Sequence, residues 1–178
     1  MSRRKVLAAL TSVLTAVALV PAATAQANPN DEWIRLVNDW GFSLTSLDEG
    51  NGTRAVQGIE IPVPGTQPSY MQAWKKVSDG GLFRFRSART KHQYALTVNS
   101  GVDWVNKPVN VYTDTPGDPD QIWRAIPIPG TARYELKNPA SGKCLGSPGD
   151  VHDSGDPLYV LACNKNMKSQ RWWFKTDG

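Results

Sequence analysis

The chain has 178 residues, a formal net charge of +4, two cysteines and seven tryptophans, which suits one globular domain after processing. Three of its 20 basic residues and none of its 16 acidic ones lie in the first 27 positions, so the remainder carries 17 basic against 16 acidic groups, a net of +1. Bulk charge therefore gives no reason to expect nucleic acid or another polyanion as a partner.

Residues 1–27, MSRRKVLAALTSVLTAVALVPAATAQA, begin with Arg3, Arg4 and Lys5, run through an apolar stretch from Val6 to Val20, and end in small residues at Ala23, Ala25 and Ala27. That is the pattern of a signal peptide, removed on export. The apolar stretch is shorter than the roughly 20 residues a bilayer-spanning helix needs, so no membrane span is expected. The Arg-Arg start also resembles a twin-arginine signal, with Val6 where phenylalanine is usual; both export routes stay open. The alanine-rich leader has a bacterial character, and the mature protein, residues 28–178, is expected to be secreted.

Beyond the leader, short β-rich segments follow one another: FRFRS from Phe83, YALTV from Tyr94, PVNVYTD from Pro108, RYELKN from Arg133 and LYVLAC from Leu158. Turn signals separate them, among them SDGG, VNSG, TPGD and SPGD. Helical periodicity is nearly absent, and an all-β sandwich or barrel is expected.

An internal repeat sharpens this. Gln72-Ala73-Trp74, Gln121-Ile122-Trp123 and Gln170-Arg171-Trp172 recur at a spacing of 49 residues, twice without deviation. The same offset superposes Ser46-Leu47-Asp48 on Ala95-Leu96-Thr97 and Cys144-Leu145-Gly146, and Ile61-x-Val63 on Asn110-x-Tyr112 and Tyr159-x-Leu161. Ile34 and Leu36 fall opposite Phe83 and Phe85, and Tyr134 and Leu136 follow after a two-residue shift that a longer TKHQY hairpin absorbs. Each unit holds about four short strands, too few to bury its own apolar face. Three such units closing around a pseudo-threefold axis form a β-trefoil, with repeats ending near 74, 123 and 172. Each motif tryptophan then fills the shared core, while the glutamine amide ties a hairpin or meets a ligand.

Three Gln-x-Trp motifs, with SGKCLG and LACNKNMKSQRW in the last repeat, resemble the ricin B-type (R-type) β-trefoil lectins, from about Glu32 to Lys175. The resemblance implies a disulfide between Cys144 and Cys163 inside the third repeat, and an even cysteine count in an exported chain agrees. Two cysteines without CxxC spacing or nearby histidines give no ground for a metal, and no cofactor is expected. Ala95 with Asp114, and Ser46 with Gly65, stand at the matching positions of the other repeats.

Family sugar sites combine an aspartate two residues after the first cysteine, a polar residue and an aromatic on the next hairpin, and an asparagine before the motif glutamine. Acidic and amide groups bind vicinal hydroxyls, and the aromatic face packs the sugar's C–H patch. Carried over, repeat one keeps Asp48 and Gln72 but has Ile61, Val63 and Met71 elsewhere. Repeat two has Thr97 for the aspartate, then Asn110, Tyr112, Asp120 and Gln121. Repeat three offers Gly146, Tyr159, Leu161, Ser169 and Gln170. The second repeat is thus the expected sugar site, with Asp48, Gln72, Tyr159 and Gln170 as weaker candidates. Against it, Tyr112 also reads as a half-exposed strand aromatic and Asp120 as a turn former.

Other features read more simply. Asp150, Tyr159 and Asn164 could make a displaced site, although Asp and Gly there suit a loop. Arg84, Arg86, Arg89, Lys91 and His92 form a basic hairpin able to meet an anionic glycan or an acidic surface, or simply a solvated one. Asn51-Gly52-Thr53 reads as a turn rather than a glycosylation site. His92 and His152 sit in no catalytic or metal motif, so no enzyme is expected. Partners are then a glycan or polysaccharide or, if sugar binding has been lost, a co-secreted protein subunit, as in bacterial toxins such as cytolethal distending toxin. Trp104, Trp173 and Phe174 bear on that choice, because a flat aromatic patch suits a protein better than a sugar.

Overall fold

The computed structural model describes residues 32–48, 50–59, 70–79, 81–89 and 93–176. Residues 1–27, Ile61, Val63, Gly65, Lys91 and His92 of the sequence reading lie outside them. The described chain is all β, with twelve strands: β1 Glu32–Asn38, β2 Phe42–Ser46, β3 Thr53–Ile59, β4 Trp74–Asp79, β5 Leu82–Ser87, β6 Tyr94–Val98, β7 Lys107–Thr113, β8 Arg124–Pro127, β9 Tyr134–Asn138, β10 Lys143–Gly146, β11 Tyr159–Leu161 and β12 Trp172–Thr176. Short 3-10 turns occur at Pro119–Gln121, Pro148–Asp150 and Lys168–Gln170.

Six strands close a barrel. β1 pairs with β4, β4 with β5, β8 with β9, β9 with β12 and β12 with β1, and a bridge between Phe83 and Trp123 joins β5 to the start of β8. The hairpins β2–β3, β6–β7 and β10–β11 cap one end. They are tied to each other by β3–β7 and β7–β11 pairing and by a bridge between Val56 and Pro157. Closure leaves the barrel without a free edge, which is how units too small to hold a core share one.

Trp74, Trp123 and Trp172 lie fully buried in that core, with Leu36, Phe85 and Leu136 beside them. Each indole also needs a polar partner. The three N–H groups donate to the backbone carbonyls of Leu44, Leu96 and Leu145 at 2.9, 3.0 and 3.0 Å, so every motif tryptophan pins its own cap hairpin to the barrel.

These bonds also establish the true register. Ile34, Phe83 and Tyr134 occupy equivalent barrel positions, each opposite a motif tryptophan, as the two-residue shift implies. In the caps, Leu44 is equivalent to Leu96 and Leu145, so Thr45 matches Thr97 and Gly146. The cross-strand partners Val56, Asn110 and Tyr159 match in turn. The fixed offset had put Asp48 opposite Thr97 and Ile61 opposite Asn110. Repeat one is longer between leucine and tryptophan, with separations of 30, 27 and 27 residues, so that offset slips by three at β2 and by five at β3, while it holds at Ile34 in β1.

Candidate functional site

The β6–β7 hairpin and the turn Pro119–Gln121 bring the second-repeat residues together. Thr97 and Asn110 face each other across the ladder. Thr97 is buried and donates its hydroxyl to the Ala95 carbonyl at 2.8 Å. The buried Asn110 donates its amide nitrogen to the Gly52 carbonyl at 2.6 Å, while its amide oxygen has no hydrogen-bond partner among the described residues. Tyr112 is half-buried and lies over Gly52, where an added Cβ would meet its ring at 3.5–3.7 Å. The Asp120 carboxylate accepts the Ser100 hydroxyl from the hairpin's far end.

Gln121 is buried, with both ends of its amide engaged inside its own repeat: its oxygen accepts the Thr115 N–H at 2.8 Å and its nitrogen donates to the Thr113 carbonyl at 2.7 Å. Gln170 does the same with Asn164 and Ala162. Gln72 donates to the Ile59 carbonyl and to Thr45 Oγ1. Of the two roles open to the motif glutamine, the geometry therefore shows the hairpin tie, and in repeat two that tie holds Asp120 beside β7.

Among the described residues, the equivalent positions of the other repeats are poorer in polar groups. Repeat one presents Thr45, Val56, Gly58 and Gln72; Asp48 lies exposed beyond β2, its carbonyl accepting the Ser46 hydroxyl. In repeat three a Cβ on Gly146 would come within 2.6 Å of Gln170 Cγ, so no side chain fits there. Ser169 is buried and donates to the Ser147 carbonyl, and Tyr159 is half-buried opposite Gly146.

Among the described residues, no hydrogen bond links Asp150 to Tyr159 or Asn164. The Asp150 carboxylate accepts the indole N–H of Trp40 at 3.2 Å and the backbone N–H groups of Ser169 and Lys168 at 2.7 and 3.2 Å. Burial alone would raise its pKa, but these hydrogen bonds outweigh that and hold it below the usual carboxylate range. Trp40 in turn stacks on His152 at 4.8 Å, with the Lys168 ammonium 4.2 Å from the ring centre. This clasp joins repeats one and three. Sequence reasoning missed it because Trp40 lies over 100 residues from the other members, with no motif to link them.

The basic hairpin is likewise committed. Arg84 and Arg86 both reach Asp114, Arg86 at 2.9 Å, and Arg89 donates to the Leu47 carbonyl at 3.0 Å. The disulfide between Cys144 and Cys163 is formed, with Cα atoms 4.9 Å apart. Glu135 approaches both sulfurs, but a disulfide supplies no thiolate, so the group offers a metal only one good ligand.

A family model described as ricin-type β-trefoil lectin domain-like matches residues 70–161. The chain belongs to this family. No curated protein matches it in sequence. Among solved structures, the designed threefold-symmetric protein ThreeFoil is 20% identical at a TM-score of 0.69, covering 80% of this chain and 97% of its own. The cytolethal distending toxin of Haemophilus ducreyi is 13% identical with a TM-score of 0.64, covering 87% and 89%. The C-terminal half of the earthworm R-type lectin, solved with GalNAc, is 12% identical with a TM-score of 0.60, covering 82% and 99%. Two further similar chains are much longer, and this R-type trefoil spans only 17% and 31% of them. Identities this low establish the fold alone.

Proposed function

We propose that this R-type trefoil is an exported carbohydrate-binding protein that takes a sugar in its second repeat. The reading rests on the half-exposed Tyr112 ring together with the Asp120 carboxylate, whose turn the Gln121 tie holds beside β7. Asn110, two residues before Tyr112 on the same strand, is buried and fixed through its amide nitrogen to the Gly52 carbonyl, so it braces the strand that presents the ring. Tyr112 offers a half-exposed ring for the sugar's C–H face. Asp120 accepts further hydroxyls, Thr97 lies opposite Asn110, and Gln121 braces the turn that carries Asp120. The protein binds rather than catalyses, and needs no metal or cofactor. Export through the leader 1–27, leaving 28–178, accords with a disulfide that persists in oxidising compartments.

A second reading, a protein-interaction subunit of a secreted, toxin-like complex that has lost sugar binding, draws on different features. Repeats one and three have lost their polar sets, and Trp104 and Val105 stand 53% and 84% exposed at the tip of the β6–β7 hairpin. The shared fold with cytolethal distending toxin is compatible with it.

A glycan array probed with purified protein and with Tyr112→Ala and Asp120→Ala, each first shown to be folded by circular dichroism, separates the two. Binding abolished by either substitution is the expected result. Binding that survives both moves the sugar to another surface, and silence across glycans and polysaccharides leaves the interaction subunit.

A further inference from the structure

Repeat one holds a groove of about 240 Å3 lined by Leu47, Val56, Gly58, Ile59, Met71 and Gly155, among others, and the threefold register identifies what is missing from it. Gly58 pairs with Ser43 as Tyr112 pairs with Ala95, so Gly58 stands where Tyr112 stands. The facing wall corresponds as well. Gly52 donates its N–H to the Val111 carbonyl and Gly155 to the equivalent Gln57 carbonyl. Beside them, Asn51 Oδ1 accepts from the Thr113 N–H and Ser154 Oγ from the equivalent Ile59 N–H. Gly155 is thus to repeat one what Gly52 is to repeat two.

The two glycines differ in what they face. A Cβ on Gly52 would touch the Tyr112 side chain, whereas a Cβ on Gly155 would meet nothing within 4 Å among the described residues. The chain does not fill this space from Gly58 itself, because a Cβ there would lie 2.7 Å from Thr45 Oγ1.

We propose that this groove binds a small neutral aromatic ring of the phenol class, seated where Tyr112 lies in repeat two. Its polar atoms are engaged internally: the Thr45 hydroxyl donates to the Ser43 carbonyl and accepts from Gln72, whose amide nitrogen also donates to the Ile59 carbonyl. A sugar or a charged ligand therefore finds little to bond, while the walls are aliphatic. Apolar cavities on the order of 150 Å3 hold benzene, so the volume here suits one substituted ring.

The test is NMR on the purified protein with p-cresol, the free form of the tyrosine side chain, and with methyl β-galactoside as comparator. Cresol should saturate in the millimolar range, with cross-relaxation from its ring protons to the methyl groups of Leu47, Val56, Ile59 and Met71. Ile59 is a mostly exposed wall residue, so Ile59→Asn should fold normally and weaken cresol binding about fivefold, the loss expected from removing part of an apolar wall. Cresol without contacts to those methyls, equal affinity in Ile59→Asn, or the galactoside giving the same contacts would each overturn the proposal. The Tyr112→Ala and Asp120→Ala array results bear only on repeat two, so the two readings fail separately.

Discussion

Trp123 donates its indole hydrogen to the carbonyl of Leu96 across 27 residues of chain, joining the barrel wall to the cap hairpin of its own repeat. Trp123→Phe keeps most of the apolar volume but leaves that buried carbonyl without its donor and opens a small void. It should cost about 2–3 kcal/mol, read by urea denaturation with an unchanged m-value. A cost below about 0.5 kcal/mol would mean that the carbonyl finds water and that the pin contributes little.

Asp114 occupies in repeat two the position that Cys163 holds in repeat three, two residues after the matched pair Tyr112 and Leu161. There it binds Arg84 and Arg86, and Arg84 and Asp114 are nearly buried. An ion pair thus stands where the third repeat has its covalent bridge. Asp114→Ala should destabilise by about 3 kcal/mol, because it removes the nearly buried carboxylate that Arg84 and Arg86 share. Adding Arg84→Met to Asp114→Ala should restore much of the loss in the same denaturation assay.

The Cys144–Cys163 bridge closes a loop with a sequence separation of 19. If chain entropy in the unfolded state dominates, replacing both cysteines by alanine should lower stability by about 3 kcal/mol. The fold should survive, since the first and second repeats hold without a bridge. Loss of the cooperative transition in calorimetry would contradict this.

Asp150 makes stability depend on acidity. Its folded pKa lies below the unfolded value, so the stabilisation is present above the unfolded pKa and is lost as pH falls through the folded one. Asp150→Asn removes an acceptor for the Lys168 N–H and should lower the melting temperature at neutral pH. The gap to wild type should narrow below about pH 4. A gap that stays constant across that range would show that the charge of Asp150 plays no part.

Much of the fold was legible in the sequence because three buried tryptophans at one period require three copies of one local environment. The equivalence of Ile34, Phe83 and Tyr134 could be read through a two-residue shift, since apolar alternation marks strands on either side of it. The cap register of repeat one could not. Its extra residues fall upstream of Trp74, where the constant spacing of the later motifs carries no information, so Asp48 looked like the partner of Thr97 when the backbone places Thr45 there.

By itself, the sequence determined the three-unit trefoil and its tryptophan core, because periodicity and residue type are local properties, while the Cys144–Cys163 bond was implied by the family resemblance. Only the tertiary structure decided which polar groups are engaged. Asp150 meets Trp40, Asp114 meets two arginines, Gln121 closes its own loop, and Asn110 is fixed to the Gly52 carbonyl. Hydrogen bonding depends on distances of a few ångströms between residues far apart in the chain, and folding alone sets those distances.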